Sequence, residues 1–177
     1  MQDDRTLGTR AKDEPIAFGR RLAGSAAFKG MFREGMALVE ETASYLDGDG
    51  RAESRRLTRV GSLTYATESM RLTTRLMQLA SWLLLQRAVN EGEMNPDQAT
   101  RERGKVKLSG MATATDGPGW EDLPERLRKL IARSIHLQER VRRLDGALQK
   151  ELAAPLQADN PVARQIGRIA EAFRIAK

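Results

Sequence analysis

The chain has no cysteine, a single histidine, and few aromatic residues: four Phe, two Trp and two Tyr in 177 residues. Without cysteine there can be no disulfide, thiolate zinc site, iron–sulfur cluster or thiol nucleophile. The lone His136 excludes a multi-histidine metal site and leaves little for histidine-based catalysis. Long apolar runs are also missing. The longest, Leu76 to Leu85, is ten residues with Gln78 and Ser81 inside it, against the roughly twenty that a bilayer-spanning helix needs. Met1 to Glu14 is polar and mixed in charge, unlike a signal peptide or amphipathic anchor. The expectation is a soluble, cytoplasmic protein with no membrane contact. Val, Ile and Thr never alternate with a period of two, which leaves strands without support.

What is present is a globular balance, 40% hydrophobic and 31% charged, in a chain long enough to bury a core as one domain. Thirty Lys+Arg against twenty-four Asp+Glu give a net charge of +6 and a pI near 10.0. Such an excess favours acidic partners: nucleic acid, anionic membrane or an acidic protein.

The six prolines sit outside, or in the first turn of, three long periodic segments, as proline's exclusion from helix interiors requires. The expected fold is all-α: an antiparallel three-helix bundle with a long central helix, a short connector helix and a short C-terminal helix or tail. A flexible segment covers 1–24. The bundle covers 25–154, with helices at about 25–47, 52–92 and 122–154. In the first helix, Phe28, Phe32, Met36, Val39, Ala43 and Leu46 make one apolar stripe. Gly30 and Gly35 offer close approach to another backbone, and Asp47-Gly48-Asp49-Gly50 is a stop. That stop resembles a calcium loop only faintly, because Ala52 and Thr58 replace the required glycine and carboxylate.

The second helix has two seams. Leu63, Ala66, Met70, Thr73, Met77, Ala80 and Leu84 form one, and Tyr65, Ser69, Leu72, Leu76, Leu79 and Leu83 the other. A helix apolar over so much of its circumference must be buried on more than one side. It is therefore expected to be central and to lend a strip to a homodimer, with Leu72, Leu76, Leu79 and Leu83 as core or dimer candidates. Asn95-Pro96-Asp97 starts a short connector helix, and glycine-rich 104–119 reads as a mobile loop. The third helix carries the seam Leu130, Ser134, Leu137, Val141, Leu144 and Leu148. Beyond Pro155 lies a tail, 155–177, in which a short amphipathic helix from 161 carries Val162, Ile166, Ile169 and Phe173.

The run Glu68-Ser69-x-x-x-Thr73-Thr74-Arg75-Leu76-Met77, then Trp82, Gln86-Arg87-Ala88-Val89 and Glu91-Gly92-Glu93, resembles the signature helix of the alphaproteobacterial regulator of CtrA degradation (RcdA-like) family. Phe32, Glu34, Gly35, Met36 and Glu40-Glu41 fit more loosely, so the resemblance covers about residues 25 to 95. It implies a small helical protein that dimerises, needs no cofactor, and acts as an adaptor. Such an adaptor brings cell-cycle regulators, the response regulator CtrA among them, to the ClpXP unfoldase–protease with a receiver-domain partner.

Two surfaces are candidates for binding, each with a plain structural alternative. Arg71, Arg75, Gln78 and Trp82 recur at four, three and four residues. They form either a partner-binding face rich in hot-spot residue types or a bundle edge where the arginines pair with acids such as Glu40 or Glu41, or with Glu68 on the same helix. Lys129, Arg133, His136, Arg140 and Arg143 form a basic stripe on the third helix. It either docks an acidic receiver domain or a phosphate backbone, or is a solvated face balanced by Glu125, Glu139 and Asp145. No Ser–His–Asp set, nucleotide fingerprint or paired carboxylates in a pocket turn up, so an enzyme is not expected. The other class in play is a basic helical nucleic-acid-binding or general scaffold protein.

Overall fold

The stops after Asp47 and at Gly92 and the start at Asn95 fall where the sequence places them. In the computed structural model, which describes residues 23–108 and 117–153, five helices follow one another: α1 Ala26–Asp47, α2 Asp49–Ser54, α3 Arg59–Asn90, α4 Pro96–Lys105 and α5 Glu125–Ala153. No strand occurs among the described residues, so the fold class is all-α. The expected N-terminal segment and C-terminal tail lie outside the described residues, except for Ala23 and Gly24.

The expected second helix of 52–92 is divided. Thr58 begins α3 afresh, its Oγ1 accepting from the Gly61 N–H at 2.9 Å while donating to Asp122 Oδ2 at 2.8 Å. Gly92, at φ 76°, closes α3: the Gly92 N–H bonds Val89 O and the Glu93 N–H bonds Ala88 O, the paired pattern of a left-handed helix stop. Asn95 Oδ1 accepts from the Asp97 N–H at 2.9 Å and caps α4, with Pro96 in its first turn.

The three long helices α1, α3 and α5 all pack on one another. On α5 the expected seam is the core seam: Leu130, Ser134, Leu137, Val141, Leu144 and Leu148 are all buried, joined by Leu123, Leu127 and Ile131. On α1 the buried line is instead Phe28, Met31, Gly35, Leu38, Thr42 and Tyr45. Phe32, Met36, Val39 and Leu46 flank it half-buried and Ala43 is exposed, which corrects the expected stripe. The cause is Gly35: a Cβ there would sit 2.6 Å from Leu83 Cδ1, so α3 and α5 close onto α1 along the line through this glycine. Gly30 meets nothing within 4 Å and has no such role.

The helix directions differ from an all-antiparallel arrangement. Arg126 pairs with Asp49, Arg133 with Glu41 and Arg140 with Glu34, so α5 runs antiparallel to α1. Asn90 Nδ2 donates to Ala23 O, which sets α3 antiparallel to α1 as well. Thr58–Asp122, Arg75–Ser134 and Trp82–Asp145 then follow in register, so α3 and α5 run parallel. Between the end of α3 and the start of α5 the chain returns along α3, a helix of about 48 Å. Residues 109–116 of the expected mobile loop lie outside the described residues, but both its flanks are docked. Leu108 is buried and its carbonyl accepts from Gln138 Nε2, while Pro118 O accepts from Thr64 Oγ1 at 2.9 Å.

Candidate partner-binding surface

The first candidate face turns inward. Trp82 is fully buried and its indole N–H donates to Asp145 Oδ1 at 2.8 Å. Arg75 is 2% exposed and donates through Nη1 to Ser134 Oγ at 2.9 Å. Burial pulls its guanidinium pKa down, against the opposing pull of Glu68. Arg71 lies at the edge, half-buried, and bonds Glu68 Oε1 at 2.6 Å, the pairing within the helix that the spacing allows. Gln78 is half-buried. Arg75 and Trp82 are therefore core residues, and Glu41 pairs with Arg133. A buried indole or guanidinium is tolerated when its polar end is met. One clue was available: Ser134 interrupts an otherwise aliphatic seam, as a buried polar partner would.

Leu72, Leu76, Leu79 and Leu83 also belong to the core inside one chain, each at most 4% exposed. They leave nothing for a dimer contact. The seam that faces out is the other one.

The basic stripe of α5 is largely neutralised by the protein itself. Lys129 pairs with Glu125 at 2.7 Å, Arg133 with Glu41 at 2.6 Å, Arg140 with Glu34, and Arg143 with Glu139 at 3.9 Å. Two of these ties strap α5 to α1. Lys129 also holds the Glu125 carboxyl below the usual carboxylate range. His136 is exposed among them. Asp145, expected to balance the stripe, is engaged with Trp82 instead.

What α3 presents to solvent is an apolar ridge: Val60, Leu63, Met70, Met77 and Leu84 are each at least 50% exposed. From Val60 to Leu84 it runs about 36 Å at the helical rise. Its repeat of seven keeps it close to straight. The hydroxyls beside it do not face water in need of partners. Thr67, Thr73, Thr74 and Ser81 each donate to the carbonyl four residues back, at 2.8–2.9 Å, and Thr64 shares its one hydroxyl hydrogen between Val60 O and Pro118 O. Covering the ridge would thus leave these hydroxyls paired. Methionine adapts its shape to what it meets, and exposed apolar patches of this kind mark protein contact sites. The ridge ends in two grooves, one where Pro118 faces Val60 and Leu63, the other where Met94 and Val106 face Leu84 and Leu85. Sequence reasoning found Leu63, Met70, Met77 and Leu84 as a seam, without Val60, and had no means of telling the outer seam from the inner one. Among the described residues no group of three or more His, Cys, Asp or Glu is placed to hold a metal, and no helix is long and apolar enough to cross a membrane.

Comparison with known proteins places this geometry. No curated protein sequence matches the chain. Residues 19–173 match a family described as "Protein of unknown function (DUF1465)". The crystal structure of RcdA from Caulobacter crescentus CB15 is 52% identical, with 75% of this chain and 97% of that chain covered and a TM-score of 0.60. The family match and the shared identity agree with the signature on α3: the chain belongs to the RcdA-like, DUF1465 family.

Proposed function

We propose that this protein is a non-enzymatic, cytoplasmic adaptor, a three-helix bundle built of α1, α3 and α5. It promotes ClpXP-dependent degradation of cell-cycle regulators such as CtrA, together with a receiver-domain partner. The observation that carries the reading is the 52% identity to RcdA over 97% of that chain. The exposed ridge of α3 supports it, since an adaptor works by holding other proteins close to one another and therefore has to offer them surface. The stretch of the ridge from Met70 to Leu84 is the contact of a homodimer in this reading.

The reading is tested by reconstituted degradation. Purified CtrA, ClpXP and a receiver-domain protein are mixed with and without this chain, and CtrA is followed by gel. Faster loss of CtrA with the chain present is the expected result. An unchanged rate at saturating chain contradicts the adaptor role. The nucleic-acid reading is weaker, because the stripe on which it rested has its cations paired within the chain.

A further inference from the structure

The net positive charge of the chain is not spread evenly over its ion pairs. Arg51, Arg55, Arg56 and Arg59 fall within nine residues at the corner of α2 and α3, and all four are exposed. None forms an ion pair among the described residues, in contrast to the cations of the α5 stripe. Two acids of the same corner are held in ion pairs, while exposed Asp47 and the hydroxyl-bonded Glu53 and Asp122 keep their charge. Glu53 accepts from the Tyr45 hydroxyl at 2.7 Å, Asp49 pairs with Arg126, Glu121 with Arg128, and Asp122 accepts from Thr58. The four arginines outnumber Asp47, Glu53 and Asp122, which leaves the corner with a small excess of positive charge.

Beside it lies the first groove of the α3 ridge. Val60, Leu63 and Pro118 give it an apolar lining, and Arg59 stands on it beside the Arg71–Glu68 ion pair. Its wall is held in place. Thr64 Oγ1 bonds Pro118 O, and Gly119, at φ 76°, lies so close to α3 that a Cβ would come within 2.7 Å of Thr64 Oγ1 and 3.0 Å of Val60 Cγ1. A Cβ on Gly61 would likewise come within 2.9 Å of Asp122 Cβ. An apolar groove next to unpaired arginines calls for an occupant with both kinds of group. Guanidinium forks take carboxylates in two parallel bonds, and the groove takes a large apolar side chain.

We propose that the α2–α3 corner docks an acidic peptide segment of a protein partner, its carboxylates on Arg55, Arg56 and Arg59 and its apolar side chains on Val60, Leu63 and Pro118. A protein segment is favoured over nucleic acid because the groove is lined with aliphatic carbon and no aromatic ring, which suits side chains and gives bases nothing to stack on. This deepens the adaptor reading by assigning one partner surface its chemistry. It is read by binding alone, so its failure leaves the degradation assay to be judged separately.

The test uses fluorescence anisotropy of the full chain at physiological salt. The probes are a labelled peptide of Asp/Glu pairs alternating with Leu and Phe, the same peptide with Lys for the acids, the same with Ala for Leu and Phe, and a labelled DNA duplex. Only the first peptide should bind well. Arg55→Glu/Arg56→Glu/Arg59→Glu should weaken it at least tenfold, as should Leu63→Asp, while Arg142→Glu on exposed α5 surface should not. Circular dichroism checks folding, and Arg55→Gln/Arg59→Gln replaces the charge reversal if that variant does not fold. The proposal is overturned by no binding of the first peptide, by equal binding of the alanine peptide, by binding that the arginine variants leave unchanged, or by tighter binding of the duplex through the same arginines.

Discussion

Two tyrosines at the α1–α2–α3 junction make stability sensitive to alkali. The Tyr45 ring is buried beneath the Arg126 guanidinium, 5.1 Å from its centroid, and its hydroxyl donates to Glu53. Burial first, and then the Glu53 carboxylate, push its pKa well above the ordinary value of 10.0; burial raises Tyr65 as well. A group whose pKa rises on folding gives stability that is fully present below its unfolded pKa and is lost as the pH climbs toward the folded value. The melting temperature should therefore show no tyrosine-linked fall up to about pH 9 and should drop above about pH 10. Tyr45→Phe should flatten that alkaline drop, and thermal melts across pH 8–11 check it. Such a junction was not readable from one sequence: Tyr45 bonds a residue eight positions away, across a helix break that the turn residues signal without fixing. Trp82 and Arg75 were harder still. Their partners Asp145 and Ser134 are 63 and 59 residues distant, and Trp and Arg are as suited to interfaces as to a satisfied interior.

At the level of helices, periodicity told where apolar stripes run, not which of them meets the core. On α5 one seam exists, and it is the buried one. On α3 two seams compete with nearly the same spacing, and pairing decides between them. The inner side carries Glu68, Arg75 and Gln86, which bond to Arg71, Ser134, Asn90 and Arg103, while the outer side carries methionines and hydroxyls that need nothing from the fold. Substitution separates the two. Leu76→Ala, in the core, should cost about 2–5 kcal/mol. Met70→Glu and Met77→Glu, on the ridge, should each change stability by no more than about 0.5 kcal/mol. Urea denaturation midpoints of the monomeric protein at low concentration check both. A large loss from either glutamate would place the ridge inside the fold.

For the molecule as a whole, the helical class, the caps at Asn95 and Gly92 and the three long helices were legible, because they depend on local chemistry. Helix direction was not. It follows from the ties of Thr58 to Asp122, Arg75 to Ser134 and Trp82 to Asp145, which set α5 parallel to α3 and leave one side of α3 covered by neither α1 nor α5. That uncovered side is where the account places protein contact, and sedimentation velocity examines it most directly. At tens of micromolar the wild-type chain should sediment as twice its 19.7 kDa mass, and Met70→Glu/Met77→Glu as a folded single chain. A wild type that stays at 19.7 kDa, or a double variant that dimerises as well as wild type, would contradict it.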